Sequence, residues 1–349
     1  MDDMHNGDAT SSLPPGHPSI PPGRTGVLLA NLGTPDGHDY WSMRRYLGQF
    51  LSDRRVIDYP AWKWQPLLQL VILTKRPFTS GRAYRRIWNT SRNESPLLTM
   101  TREQSEGVAA RLESIFGDRI MTGFCMRYGN PAVRPQLEEM LEQGCRRILF
   151  FPLYPQYSAT TTASATDELC RSMQHVKWQP ALRTVPPYFD RPAYIEALAQ
   201  SVTDALGPDE DTVLVVSFHG VPERFLAEGD PYYCHCRKTS RLLRERLGWP
   251  EDQLVTSFQS QFGKEKWHGP ATVVEVARLA REGRKRIAVI APGFAADCIE
   301  TIDEIDVEIR EEFERAGGEE FIYVPCLNAS PGHLEMLADI ITESLAGWH

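Results

Sequence analysis

Apolar residues fall along this chain in short unbroken runs separated by broken, helix-spaced stripes. The runs Val27-Leu28-Leu29-Ala30, Ile148-Leu149-Phe150-Phe151, Val213-Leu214-Val215-Val216 and Ile287-Ala288-Val289-Ile290 carry no polar alternation. Strands buried on both faces read this way, which is the pattern of a parallel sheet. Each run stops at a breaker: Gly33-Thr34-Pro35, Pro152, Gly220-Val221-Pro222 and Pro292. Between them, stripes at three- and four-residue spacing predict helices over 101–116, 190–206 and 333–345.

The runs form two echoes. Val27 to Pro35 matches Val213 to Pro222, with Gly33 on Gly220 and Pro35 on Pro222. Gly144 to Pro152 matches Gly283 to Pro292, and each copy gives a helix-ending glycine, basic residues, a buried strand and a proline. Two echoes in the same order predict two α/β halves built alike, over 25–187 and 188–331. The helix over 332–349 is expected to pack back on the first half. The first half is longer between its echoes, which places an insertion at about 40–96. This segment holds Trp62, Trp64, Leu67, Leu68, Leu70, Val71, Ile72 and Leu73. It reads either as helices covering a core or as an apolar lip around a greasy ligand or a membrane surface. Residues 1–24 are Pro-, Gly- and Ser-rich with few apolar groups, and a disordered tail is expected there.

Composition narrows the class. At 349 residues, with 42% hydrophobic and 24% charged residues, the chain is that of a globular protein of about two domains. A net charge of -8 argues against nucleic acid as a partner. Seven cysteines without a regular spacing are no disulfide framework, and a reducing cytoplasm is expected. The N-terminal segment does not read as a signal peptide, and no apolar run reaches the ~20 residues that span a bilayer.

The candidate chemistry sits at two strand ends, where ligands of open α/β sheets bind. His219 follows the Val213 run directly. It can accept a proton or bind a metal near neutral pH, or it can be a core histidine satisfied by a carbonyl. After the Ile287 run comes Pro292-Gly293-Phe294, then Glu300, Glu304 and Glu308 four residues apart, a carboxylate stripe on one helix face. Asp297 and Glu300 also have the spacing of a capping box. Carboxylates beside a histidine suit a borderline divalent metal such as iron or zinc. The glycine-rich phosphate fingerprints and the Gly-x-Ser-x-Gly elbow are missing. Cys234-His235-Cys236 lacks the second cysteine pair of a structural zinc site.

Six motifs together resemble the ferrochelatase family. They are Asn31-Leu32-Gly33-Thr34-Pro35, Arg127-Tyr128-Gly129-Asn130-Pro131, Tyr154-Pro155-Gln156-Tyr157-Ser158, Ser217 to Pro222, Gly229-Asp230-Pro231-Tyr232, and Phe294 to Glu304. They run from about Val27 to the C-terminus in the family's order. The resemblance implies two similar doubly wound, Rossmann-like α/β domains with parallel sheets and an active-site cleft between them. It implies a lyase that inserts ferrous iron into protoporphyrin IX, the last step of haem synthesis. His219 would take pyrrole protons with Glu300 as its partner acid. His219, Glu300 and Glu304 would meet the metal. Leu32, Arg76, Arg127, Tyr128, Trp267 and Phe294 would line the porphyrin site, with Arg76 near the propionates. Leu32 is apolar where some Gram-positive members carry tyrosine, which points to protoporphyrin over coproporphyrin. Fe2+ is then a substrate and no cofactor is required. A [2Fe-2S] cluster is not expected: Ala159 stands at the family's upstream cysteine position, and only Cys234 and Cys236 lie close in sequence. Peripheral contact with the inner membrane face is expected from the apolar substrate. The reading from another class is a haem- or metal-binding carrier on the same fold, without turnover.

Overall fold

The computed structural model describes residues 16–17, 23–207, 212–261 and 265–348. Most of the expected tail, 1–15 and 18–22, lies outside the described residues. Its boundary moves: strand β1 (Arg24–Thr34) already includes Arg24, because Arg24 N–H bonds the Gly144 carbonyl at 3.1 Å and opens the ladder.

In the first half, β1 leads through α1 (Tyr40–Ser52), α2 (Ala61–Leu67), α3 (Leu73–Ile87) and α4 (Pro96–Phe116) to β2 (Ile120–Gly129). Then come α5 (Val133–Glu142), β3 (Cys145–Pro152), α6 (Ser164–Met173) and β4 (Ala181–Thr184). The second half opens with α7 (Pro192–Leu206), then β5 (Val213–His219), α8 (Glu223–Ala227), α9 (Tyr232–Leu247) and β6 (Leu254–Gln259). It closes with α10 (Thr272–Arg281), β7 (Arg286–Ile290), α11 (Arg310–Arg315), β8 (Glu320–Val324) and α12 (Pro331–Ser344). Local chemistry sets these boundaries. Ser95 caps α4 through the Leu98 N–H at 3.2 Å, and Pro96 and Pro192 start helices where no N–H is needed. Gly248, with φ of 70°, ends α9.

The two sheets are wholly parallel and share one strand order, β2-β1-β3-β4 and β6-β5-β7-β8. The sequence echoes are therefore equivalent strands, β1 with β5 and β3 with β7. Gly33 and Gly220 recur because the neighbouring strand comes too close for a side chain. A Cβ at Gly33 would lie 1.8 Å from the Tyr128 carbonyl oxygen, and one at Gly220 would lie 2.8 Å from that of Gln259.

One apolar cluster runs through both halves, from Val27, Leu149 and Phe151 to Val216, Ile290 and Leu337. Each such fully buried side chain contributes ~1.5–3 kcal/mol. Helix α12 packs on both α4 and α7. Its C-terminal side takes up first-half arginines, with Arg147 donating to the Trp348 carbonyl at 2.6 Å and Arg183 to that of Ser344 at 2.8 Å. Two of the singled-out motifs meet at the junction. Gln156 donates to Thr239 at 3.1 Å, the Tyr157 N–H to His235 Nδ1 at 3.2 Å, and Ser158 Oγ and the Ala159 N–H to Asp230 Oδ2 at 3.0 and 2.7 Å.

Candidate active site

His219 is the last residue of β5 and pairs in register with Gln259, the last of β6. Its Nδ1 lies 2.8 Å from the Gly220 carbonyl oxygen. A carbonyl only accepts, so Nδ1 carries the proton and Nε2 keeps its lone pair. The backbone satisfies one ring nitrogen, as a core histidine requires, and the other keeps a lone pair that a base would use. Trp267 lies over the adjacent Gly220, where a Cβ would come within 3.0 Å of its ring.

The acidic residues approach from the segment after β7. Residues Glu300–Ile309 form a π-helix, not the expected α-helix, and Ile299 precedes it with no side-chain cap. The capping-box reading of Asp297 and Glu300 fails for a specific reason. Asp297 Oδ1 accepts from Thr301, Tyr323 and the Cys326 N–H, and Oδ2 accepts from Asn328 at 2.7 Å. Its carboxylate is spent holding the loop to β8. The wider π turn keeps residues four to five apart on one face, and such turns gather at functional sites. Glu300 and Glu304 thereby share a face towards the ends of β5 and β6.

Glu304 is clamped there. Its Oε1 accepts from the Ser260 N–H at 2.8 Å, and its Oε2 from Ser260 Oγ at 2.5 Å and Gln259 Nε2 at 3.3 Å. Gln259 also donates to the Glu300 carbonyl at 2.7 Å and accepts from Ser217 at 2.8 Å, so β5, β6 and the π-helix share one network. Burial pushes the Glu304 carboxyl pKa up and the Glu300 charge adds to this, while Ser260, His219 and Gln259 pull it down. Glu300 reaches the other half electrostatically. Burial raises the pKa values of the Tyr46 and Tyr84 hydroxyls, on α1 and α3, and the Glu300 charge raises them further.

The third carboxylate of the stripe behaves differently. Glu308 is exposed and lies 3.8 Å from Arg86 of α3, which also binds Asp303 through two bonds of 2.7 Å. Among the described residues, no three His, Cys, Asp or Glu side chains gather closely enough to cage a metal ion. Cys234 is exposed and Cys236 buried, on opposite faces of α9.

The first half supplies a wall. Leu32 and Phe294 are both half-buried and pack on the same cluster of Leu97, Ala296 and Cys298. Tyr128 is buried and its hydroxyl donates to Asp53 at 2.8 Å. Arg127 binds Asp53 at 2.5 Å and Ser164 at 2.7 Å. Burial works against the Asp53 carboxylate, but bonds from Ser164, the Arg55 N–H and Tyr128, with the Arg127 charge, hold its pKa low. Arg127 lines a polar cavity of about 760 Å³ with Arg54, Arg55, Asp167, Glu168 and Arg171. His219, Glu300 and Glu304 do not line it. Arg76 is exposed on α3.

The structure thus brings together His219, Glu300, Glu304 and Trp267, with Leu32 and Phe294 beside one another. It sets Arg127 and Tyr128 in the Asp53 network and leaves Arg76 on the surface. Sequence reasoning missed Gln259, Ser260, Tyr46 and Tyr84. The end of the run Leu254-Val255 was a readable signal for the first two. Nothing in the spacing of the tyrosines marked them.

A family model described as ferrochelatase matches residues 24–345. A ferrochelatase of Rhodobacter capsulatus is 60% identical over 341 residues, covering 96% of each chain. One of Agrobacterium fabrum is 50% identical, covering 97% of this chain and 98% of the relative. Among solved structures, SirB from Bacillus subtilis, determined with Fe3+, superposes with a TM-score of 0.56 at 12% identity, covering 93% of this chain and 96% of SirB. At that identity the likeness concerns the fold.

Proposed function

The chain belongs to the ferrochelatase family, which makes it a metal chelatase of the lyase class inserting iron into a porphyrin, and on that premise we propose that its substrates are ferrous iron and protoporphyrin IX and that its product is protohaem. The observation that carries the residue assignment is the Nε2 lone pair of His219 at a strand end beside two carboxylates.

A free porphyrin must lose two N–H protons before a dication can enter. His219 Nε2 accepts a pyrrole proton, the role of a neutral imidazole acting as general base. Glu304 is electrostatically coupled to His219 and stabilises the imidazolium. Its burial-raised pKa also lets it take up a proton nearer to neutral pH than an exposed glutamate can. Glu300, one turn earlier, serves as the partner acid of His219, and the Glu304 charge also favours the incoming cation. A site with few converging ligands suits a cation that passes through to the porphyrin. The wall of Leu32, Phe294 and Trp267 suits a flat apolar ring, and binding a bent form of that ring exposes its nitrogens. Leu32 favours protoporphyrin over the more carboxylated coproporphyrin. Arg76, exposed and cationic on the lip, is placed for a propionate. Cys234 and Cys236 point apart, which supports chelation without an iron–sulfur cluster. A carrier without turnover is not favoured by a chain so close to ferrochelatases.

The lip also supports peripheral contact with a membrane from the cytoplasmic side. Trp62, Leu70 and Phe78 are 75%, 73% and 57% exposed on α2, the π turn Leu68–Ile72 and α3. Lys63, Lys75 and Arg82 are exposed among them, a pattern that suits an anionic interface. Trp64 does not belong to that surface. It is half-buried, and its Nε1 donates to the Leu51 carbonyl at 2.6 Å. The insertion buries Leu68 and Leu73, as a core-covering helix does, and its opposite face is bare, which supports the lip reading. Among the described residues no helix is long and apolar enough to cross a bilayer.

An anaerobic chelation assay with ferrous iron and each porphyrin tests the reading. Faster formation of protohaem than of coprohaem is expected. Preference for coproporphyrin overturns the substrate assignment, and no turnover with either overturns the enzyme.

A further inference from the structure

We infer that Arg86 and Asp303 form a positioning pair: Arg86, on the lip helix α3, fixes the rotation of the π-helix so that Glu300 and Glu304 face His219. The inference rests on the chelatase reading of that site.

Asp303 is the buried member, with 6% of its side chain exposed. Both of its oxygens are taken by Arg86, Oδ1 by Nε and Oδ2 by Nη2, each at 2.7 Å. A two-point guanidinium–carboxylate contact fixes direction as well as distance, which a lysine cannot reproduce. Asp303 and Glu304 are neighbours in sequence but are held from different sides. Ser260 and Gln259 hold Glu304 at the end of β6, and Arg86 holds Asp303 from α3. Two anchors on adjacent residues set the angle of the helix about its own axis.

The anchor matters more in this helix than in most. π-helical hydrogen bonding is rarely sustained, and here it runs from Glu300 to Ile309. Without Arg86, the Asp303 carboxylate is a buried charge without its partner, an unfavourable state. The cheapest relief is for the helix to roll until Asp303 meets water, and that roll carries Glu300 and Glu304 off the end of β5. The same arginine reaches Glu308 at 3.8 Å, so it also offsets the outer charge of the stripe.

The test uses the full chain and compares Arg86→Gln, Arg86→Lys, Asp303→Asn and the double variant Arg86→Gln/Asp303→Asn. Chelation kinetics are read at varied ferrous iron and varied porphyrin, well below each variant's melting temperature, and porphyrin binding is read by tryptophan quenching. Both single changes should lower kcat by roughly tenfold or more, the scale of a sub-ångström misplacement of reacting groups. Porphyrin affinity should hold, because the wall residues do not move with the π-helix. The double variant should lose no more than the worse single one, since the two residues act as a unit. Arg86→Lys should recover stability but little of kcat. A lowered melting temperature with unchanged kcat in both single variants overturns the inference, and so does additive loss in the double variant. Failure of the chelatase reading looks different: the unmodified chain itself would not form metalloporphyrin.

Discussion

Ser260 gives direct control over Glu304. It follows β6 with φ of 60° and supplies two of the bonds to that carboxylate, one from its N–H at 2.8 Å and one from its hydroxyl at 2.5 Å. Ser260→Ala deletes the second and spares the first. A hydrogen bond to a charged group contributes ~1.5–3 kcal/mol. Glu304 is only half-buried, so solvent screening favours the lower end, ~1.5 kcal/mol, or about tenfold in the acid dissociation constant. The hydroxyl stabilises the charged form, and without it Glu304 keeps its proton to higher pH. Burial already raises this pKa, so the acidic limb of turnover should move further towards neutrality. The rate should fall about tenfold below the limb and stay unchanged above it. Ser260→Gly removes the same hydroxyl but accepts the positive φ without strain, a relief of ~1 kcal/mol. The two variants should therefore share the displaced limb, with the glycine variant melting higher. Initial chelation rates across pH at subsaturating ferrous iron and saturating porphyrin, with thermal melts alongside, decide the matter. Superimposable profiles for wild type and both variants would refute the role of Glu304 as a titrating group in turnover. A displaced limb in alanine alone would assign the effect to backbone.

The other expectations concern separate parts of the molecule. His219→Ala should slow chelation by about a hundred- to ten-thousandfold, the range of a lost general base, while far-UV circular dichroism stays unchanged; near-normal turnover removes His219 from the chemistry. Glu300→Gln should act on kcat, Glu304→Gln on the apparent iron affinity, and Glu308→Gln on neither; a flat response across the three leaves the stripe as a solvated face. Burial raises the Glu304 pKa, so its contribution to stability is full below the unfolded carboxyl range and is lost as pH rises through the folded value. Glu304→Gln should thus melt higher than wild type at pH 7, and a lower melt contradicts this. Cys234→Ser/Cys236→Ser should keep chelation activity, and an iron–sulfur absorption band in wild type that disappears in the variant would assign a cluster to these cysteines. Trp62→Ala/Leu70→Ala should weaken flotation on anionic vesicles by tenfold or more, given ~1.5–3 kcal/mol per buried apolar side chain; equal flotation would place the contact elsewhere.

The parallel sheets were legible because a strand covered on both faces has to be apolar throughout, and Val213-Leu214-Val215-Val216 announces that directly. The matched glycines were legible for a stricter reason, since the chain has no room there for a Cβ. His219 could be found as a strand-end residue, but its tautomer could not, because that depends on a carbonyl placed by the turn. The π-helix escaped the sequence altogether. Glu300, Glu304 and Glu308 satisfy an α-helical spacing, and the contacts that hold this segment, to Ser260 after β6, Tyr323 on β8 and Arg86 on α3, come from far away along the chain. Tyr46 and Tyr84 were hidden for a similar reason. Tyr46 and Tyr84 become neighbours of Glu300 only once the insertion folds back over the strand ends.

The shared strand order bears on ancestry. Laid over one another by their glycines, the halves put Leu32 where His219 stands. The shared order and the matched glycines are what duplication of a half-length unit would leave, and two such units would offer equivalent strand ends. A flat substrate between them needs a base on one face only. The first half differs from the second there by an apolar side chain at the position matching His219, a close-packed Gly33 behind it, and three helices in the insertion. Asymmetry of this kind is irreversible in practice. A histidine at position 32 would stand among Leu97, Met100 and Phe294, an apolar setting unlike the one His219 has beside Gln259 and Glu304.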